Sequence, residues 1–175
     1  SFAAGWLALR APADDAAPEP ALVEALVRRA GDRPLRAVDL GAGTGATRRV
    51  LGPRLRGARW RLVDADPALL AEAAAPGVET RRADLSADLE TVVADADLVT
   101  ASALLDLAAP DWIERLAAAV PSAAALYVAL TYDGTEIWEP APPREGAALA
   151  ALHAHMRGPK GLGAGPAAGP QATAC

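Results

Sequence analysis

Residues 38–45, Val38-Asp39-Leu40-Gly41-Ala42-Gly43-Thr44-Gly45, constrain the fold of this chain more than any other stretch. A short apolar run, Arg36 to Leu40, meets three glycines spaced two apart. Thr44 is placed to open a helix whose apolar positions are Val50, Leu51 and Leu55. That order reads as a strand, a tight turn and a helix. Glycine lets the backbone turn sharply there and lets a ligand approach the main chain closely. At the carboxyl end of a parallel strand, such a turn is where open α/β sheets bind nucleotide-like ligands.

The rest of the chain repeats the alternation. An amphipathic stretch over 1–13 carries Phe2, Trp6, Leu7 and Leu9. A helix over 20–30 follows, with Pro20 in its first turn, Gly31 past its end, and Leu22, Val23, Leu26, Val27 and Ala30 on one face. Strands are expected at 36–40, 60–64, 78–83, 97–102 and 124–132. The helices between them run over 44–51, from Asp66-Pro67 to Pro76, from Ser86 to about Ala94, and from Asp111 with Trp112, Ile113, Leu116 and Val120 on one face. Strands alternating with helices, and runs apolar throughout, predict an α/β fold: a doubly wound, mostly parallel sheet with helices on both faces. Thr135 to Trp138 reads as a short return strand, and 144–157 as a helix. The expected organisation is one domain over 1–157 and a flexible tail over 158–175, where eighteen residues hold five glycines and three prolines.

Composition excludes several classes. The net charge is −5, and the short arginine clusters Arg48-Arg49 and Arg81-Arg82 are separated by acids, so no nucleic-acid groove is expected. The single cysteine, Cys175, rules out a disulfide framework within one chain and a cysteine metal site. No apolar run approaches the ~18 residues of a membrane span, and no secretory leader is visible; the plain reading is a cytoplasmic protein.

The glycine turn leaves two cofactors open. Gly41, Gly43 and Ala46 also fit the dinucleotide pattern G-x-G-x-x-G/A. Asp39, at the strand end, shifts the balance: dinucleotide phosphates would not favour a negative charge beneath them, whereas a ligand carrying an ammonium group would. Two later strands end in Asp64 and Asp84. An acid at the second strand end can accept hydrogen bonds from ribose hydroxyls, and Asp84 with Leu85 can read an adenine amino group. The alternative for these acids is helix capping, which suits Asp66 before Pro67 well.

With VDLGAGTG at 38–45, LVDADPALL at 62–70, ADL at 83–85 and DLVTASALLDL at 97–107, the chain resembles a class I S-adenosylmethionine-dependent methyltransferase over about 38–132. The resemblance implies that Asp39, Gly41, Ala42 and Gly43 surround the methionine part of S-adenosyl-L-methionine. Asp64 holds the ribose, Ala65 and Asp66 flank the adenine, and Asp84 and Leu85 contact its edge. Ser102 stands near the sulfonium. It also implies a cap over the cofactor from residues 1–13, with Trp6 and Arg10 at the pocket. The proline-pair turn of amino-group methylators of adenine or glutamine is missing after Ser102, as is the cysteine of cytosine-C5 enzymes. A small-molecule acceptor is therefore expected. A truncated or non-catalytic relative and an NAD-dependent oxidoreductase are the alternatives.

Catalytic candidates at the ends of strands four and five are Asp106, Tyr132 and Asp133, with His153 on a helical apolar stripe. For each the alternative is an ordinary cap, loop or packing role. His153 and His155, two apart, point to different helix faces, so no helical metal site is expected. The family usually closes its sheet with further strands, for which this chain has no room. Strand five is then an apolar edge, with three outcomes: pairing with 135–138, pairing with a second chain as a homo-oligomer, or non-specific association.

Overall fold

The computed structural model describes residues 3–174; Phe2 and Cys175 lie outside the described residues. Contacts divide the chain into two compact units, Ser1–Ser102 with Ala118–Leu130, and Ala103–Ala117 with Thr131–Cys175. The expected boundary at 157/158 falls inside the second.

The first unit is built on a five-stranded parallel sheet in the order β3-β2-β1-β4-β5. The strands are β1 (Leu35–Leu40), β2 (Ala58–Asp64), β3 (Glu79–Arg82), β4 (Leu98–Ser102) and β5 (Ala125–Ala129). β1 pairs with β2 on one side and β4 on the other, so chain direction across the sheet reverses at β1. That reversal makes the carboxyl ends of β1 and β4 the switch point where open α/β sheets bind ligands. Consecutive residues of β1 and β4 are buried, Ala37 to Leu40 and Leu98 to Ala101, so side chains on both faces are covered.

The helices are α1 (Ala4–Ala16), α2 (Pro20–Ala30), α3 (Ala46–Leu51), α4 (Pro67–Ala73), α5 (Leu89–Val93), α6 (Pro110–Ala119) and α7 (Glu145–Met156). α2 starts where its sequence says it should: Glu19 accepts the Ala21 N–H, Pro20 occupies the first turn, and Gly31 closes the end onto Val27 O at 2.9 Å. Val23, Leu26 and Ala30 pack against Leu35, Ala37, Leu98 and Tyr127 of the sheet. Leu22, expected on that face, is 56% exposed; the buried stripe runs one position further round.

Several expected boundaries move for local reasons. α3 begins after Gly45, which is left-handed at φ 80, and Thr44 does not cap it. α5 begins at Leu89 rather than behind Ser86, because the Asp84 carboxylate takes the Ser86 N–H and folds 84–88 into a turn. Asp111 lies inside α6 and not at its cap, and its carboxylate accepts the Ala164 N–H at 3.0 Å. β5 stops at Ala129, where Leu130 turns to φ 55. Thr135 to Trp138 does not form a strand, so β5 has no partner on its outer side among the described residues, and Leu126 is 42% exposed there.

In the second unit, the glycine-rich segment after α7 lies along the start of α6. Ala109 N–H donates to Leu162 O at 2.7 Å and Ala168 N–H to Ala108 O at 2.7 Å. Ala167, Ala168 and Ala172 are buried, as are Trp112 and Leu116 of α6. Gly163 sits at φ 94 against Asp111, Ala109 and Trp112, where a Cβ would collide.

Candidate functional site

The glycine turn follows β1 directly. Gly41, Gly43 and Gly45 all lie in the left-handed region, at φ 63, 53 and 80, which L side chains avoid. Ala42 N–H continues the sheet pattern by donating to Val63 O at 3.0 Å, and Gly45 N–H closes the turn onto Ala42 O at 2.8 Å.

Asp39 sits at the heart of this region and is 1% exposed. Register pairs it with Thr100 on β4, and the Thr100 hydroxyl donates to its Oδ1 at 2.7 Å. Oδ2 has no hydrogen-bond partner. Burial pushes the carboxyl up to about 7; the Thr100 and Thr47 hydroxyls oppose the shift and the nearby Asp64 charge adds to it. The Thr47 hydroxyl favours the ionised form, although it completes no hydrogen bond to Oδ2. Buried acceptors nearly always have a donor, so this oxygen calls for a functional role, an ion or a water.

Asp64, at the end of β2, ties two loops together. Its Oδ2 accepts the Gly43 N–H and its Oδ1 the Asp66 N–H, both at 2.9 Å. A carboxylate has about four acceptor sites, so each oxygen keeps capacity for a further donor. Asp66 caps α4 by accepting the Ala68 N–H at 2.9 Å, the capping role weighed for it from sequence. Asp84 is exposed, accepts the Ser86 N–H at 2.8 Å, and stands beside buried Leu85. Ala65 is exposed between Asp64 and Asp66. Ser102 closes β4 opposite Ala129 of β5. Asp39, the glycines, Asp64 and Asp66 are thus linked through strand register and hydrogen bonds, and Asp84 and Ser102 stand at the carboxyl ends of the same sheet.

Three features here were missed from sequence. Thr100 is fully buried in the run Leu98-Val99-Thr100-Ala101-Ser102; a lone hydroxyl in a strand apolar on both faces was the available signal. On α1 it is Leu7, rather than Trp6, that lies over the turn, 3.5 Å from where a Gly43 Cβ would stand. Trp6 is 51% exposed and Arg10 pairs with Asp14 at 2.8 Å. Arg49 of α3 holds the end of α1 by donating to Asp15 at 3.0 and 3.3 Å.

The four catalytic candidates lie in the second unit. Asp106 is buried in a short 3-10 turn, Leu105–Leu107. Asp133 makes a local turn by accepting the Thr135 N–H at 2.8 Å. Tyr132 and His153 meet, with Oη and Nε2 3.0 Å apart, and Tyr132 Oη is 3.4 Å from Glu136. Desolvation, then the Glu136 carboxylate, raises the Tyr132 phenol above its ordinary value. His155 faces elsewhere and accepts from Lys160 Nζ at 3.1 Å. No group of three metal-ligating side chains occurs among the described residues, and no described helix is long and apolar enough to cross a membrane.

No protein-family model and no curated protein matches the chain. Solved structures do. The chain is similar to the sugar N-methyltransferase KedS8 from Streptoalloteichus sp., at 20% identity and a TM-score of 0.53, over 78% of this chain and 57% of that one. It is also similar to coclaurine N-methyltransferase bound to N-methylheliamine and SAH (16% identity, TM-score 0.49, 62% of this chain and 34% of that one). A TehB-like SAM-dependent methyltransferase from Corynebacterium glutamicum matches at 26% identity and a TM-score of 0.46, over 59% of this chain and 60% of that one. The chain spans 34% to 60% of the length of these structures. The strand order and the KedS8 match together define the fold: a Rossmann-like α/β fold, shared with that methyltransferase.

Proposed function

We propose that the chain binds S-adenosyl-L-methionine at the carboxyl ends of β1 to β4 and transfers its methyl group to a small-molecule acceptor. The observation that carries this reading is the buried Asp39 carboxylate with its unpartnered Oδ2, beside a glycine turn at the switch point of the sheet. An ammonium group answers that oxygen; a dinucleotide phosphate would meet a like charge there. Asp39, Gly41, Ala42 and Gly43 would hold the methionine part, Asp64 the ribose, Ala65 and Asp66 the sides of the adenine, and Asp84 and Leu85 its edge. Ser102 would face the sulfonium. The spare acceptor capacity of Asp64 fits two ribose hydroxyls.

The bound cofactor supplies an electrophilic methyl on a positively charged sulfur. The protein's part is to orient and to exclude water. The left-handed glycines bring main chain rather than side chains to the ligand, and Leu7 covers the turn. Holding donor and acceptor in line is the main source of rate in such a displacement, and a base is needed only where the acceptor must lose its proton early. The candidates for such a base, Asp106, Tyr132, Asp133 and His153, all belong to the second unit, in which Tyr132 and His153 share a hydrogen bond.

Calorimetric titration with S-adenosylmethionine, S-adenosylhomocysteine and NAD tests the reading. Binding of the first two and none of NAD is expected; NAD binding without S-adenosylmethionine would overturn it. A methyl-transfer assay on the same sample separates an enzyme from a cofactor-binding protein without turnover. The unpaired outer edge of β5, with Leu126 exposed, further favours self-association with a second copy, which light scattering checks: a stable monomer at micromolar concentration would refute it.

A further inference from the structure

From Leu98 to Ala101 every residue of β4 is buried, and the one side-chain polar group among them is the Thr100 hydroxyl. Valine has nearly the same shape and would leave no polar group to satisfy there. The hydroxyl has one proton to give. Two acceptors stand within reach, Asp39 Oδ1 at 2.7 Å and Val38 O at 3.5 Å, and the shorter bond claims it. Strand register fixes the pairing, because Asp39 and Thr100 are direct partners across β1 and β4. The bond reaches one carboxylate oxygen and leaves Oδ2 without a donor. No cation pairs with this carboxylate among the described residues. The charge acting on it is the like charge of Asp64 at the end of β2, and α3 contributes the neutral Thr47 hydroxyl.

We propose that Thr100 is a positioning residue for the cofactor: it holds Asp39 by Oδ1, keeps Oδ2 as a fixed carboxylate oxygen for the ligand's ammonium group, and so couples binding to a proton. The inference rests on the cofactor reading above and deepens it. In the free chain, burial pushes the Asp39 carboxyl up to about 7, so a proton sits on it through the mildly acid range. An ammonium group pairs with the ionised carboxylate. Below about 7 binding must therefore expel that proton, which passes to water as the ammonium takes its place, and affinity falls as pH falls. Above that value the carboxylate is already ionised and affinity levels off. The Thr100 hydroxyl stabilises the ionised form, because a donor contributes most to a charged acceptor. Removing it moves the fall in affinity to higher pH. A Thr100 that only filled space would set no such dependence.

The test is calorimetric titration with S-adenosylhomocysteine from pH 6 to 8, in two buffers of different ionisation heat. A parallel titration uses 5′-methylthioadenosine, which keeps the adenine, ribose and sulfur but has no ammonium group. The parent chain should bind S-adenosylhomocysteine about tenfold more weakly at pH 6 than at pH 8, releasing close to one proton at pH 6 and almost none at pH 8. Its affinity for 5′-methylthioadenosine should change little. Thr100→Val should move the fall about one pH unit higher and weaken S-adenosylhomocysteine about fivefold at pH 7, with 5′-methylthioadenosine unaffected. Thr100→Ser, which keeps the hydroxyl, should show the parent profile. Asp39→Asn should bind without proton release at any pH. A flat parent profile, a Thr100→Val profile that coincides with the parent's, or equal loss of both ligands in Thr100→Val would each overturn the inference and leave the cofactor reading standing. No binding of S-adenosylhomocysteine by the parent chain would sink the cofactor reading, and this inference with it.

Discussion

At pH 8 the Asp39→Asn variant should be more stable than the parent chain, by about 2 kcal/mol, and should bind S-adenosylmethionine about tenfold more weakly. Both effects come from the same buried oxygen. Burial raises the Asp39 carboxyl from 3.8 to about 7. Between those values the folded chain keeps a proton that the unfolded chain has lost, so stability falls as pH rises through that window and is level above it. The full penalty is at most on the order of 4 kcal/mol. Asparagine removes the ionisation and keeps an oxygen for the Thr100 hydroxyl. It also places an amide N–H where Oδ2 had no partner, which costs about 1–3 kcal/mol. The advantage should therefore vanish near pH 4.5, where the parent carboxyl is already neutral. Urea unfolding at pH 4.5, 6 and 8 checks this: the parent should lose stability across the series and the variant should not. A parent chain equally stable at all three values would show that Asp39 does not titrate in the raised range.

The second large effect is expected at Asp64. Asp64→Ala should lower affinity for S-adenosylhomocysteine about tenfold or more, since a charged acceptor contributes about 1.5–3 kcal/mol. The structure adds a complication that sequence did not offer, because Asp64 also holds the Gly43 and Asp66 N–H groups. Affinity could then fall because the turn loosens and not because a ribose contact is lost. A 2′,3′-dideoxy analogue separates the two through a double-mutant cycle. If Asp64 holds the ribose, the parent chain should prefer the natural ligand over the analogue and the variant should show little preference. An undiminished preference in the variant would take Asp64 out of the ribose role and leave it as the tie between two loops.

What was legible in the sequence was local. The glycine turn, the cap at Asp66 and the bounds of α2 are set by residues within a few positions of one another. The parallel order follows from strands alternating with helices. The electrostatics of the site were not legible. The tie between Asp39 and Thr100 spans 61 positions and exists only because β4 lies beside β1. Leu7 over Gly43 depends on where α1 docks, and α1 has no buried residue to announce it. Thr44 and Ser86 look like caps, yet a left-handed Gly45 and the Asp84 carboxylate claim those turns first. Tyr132 and His153 were picked out separately, and nothing in their spacing says that they meet.

The most direct test of the account is the map of amide shifts when S-adenosylhomocysteine is added to the isotopically labelled chain. The account predicts saturable shifts concentrated at Gly41, Gly43, Asp66, Leu85 and Ser102, with little change along α7. Saturation with no shift at the glycine turn, or with shifts confined to residues 131–174, would contradict it.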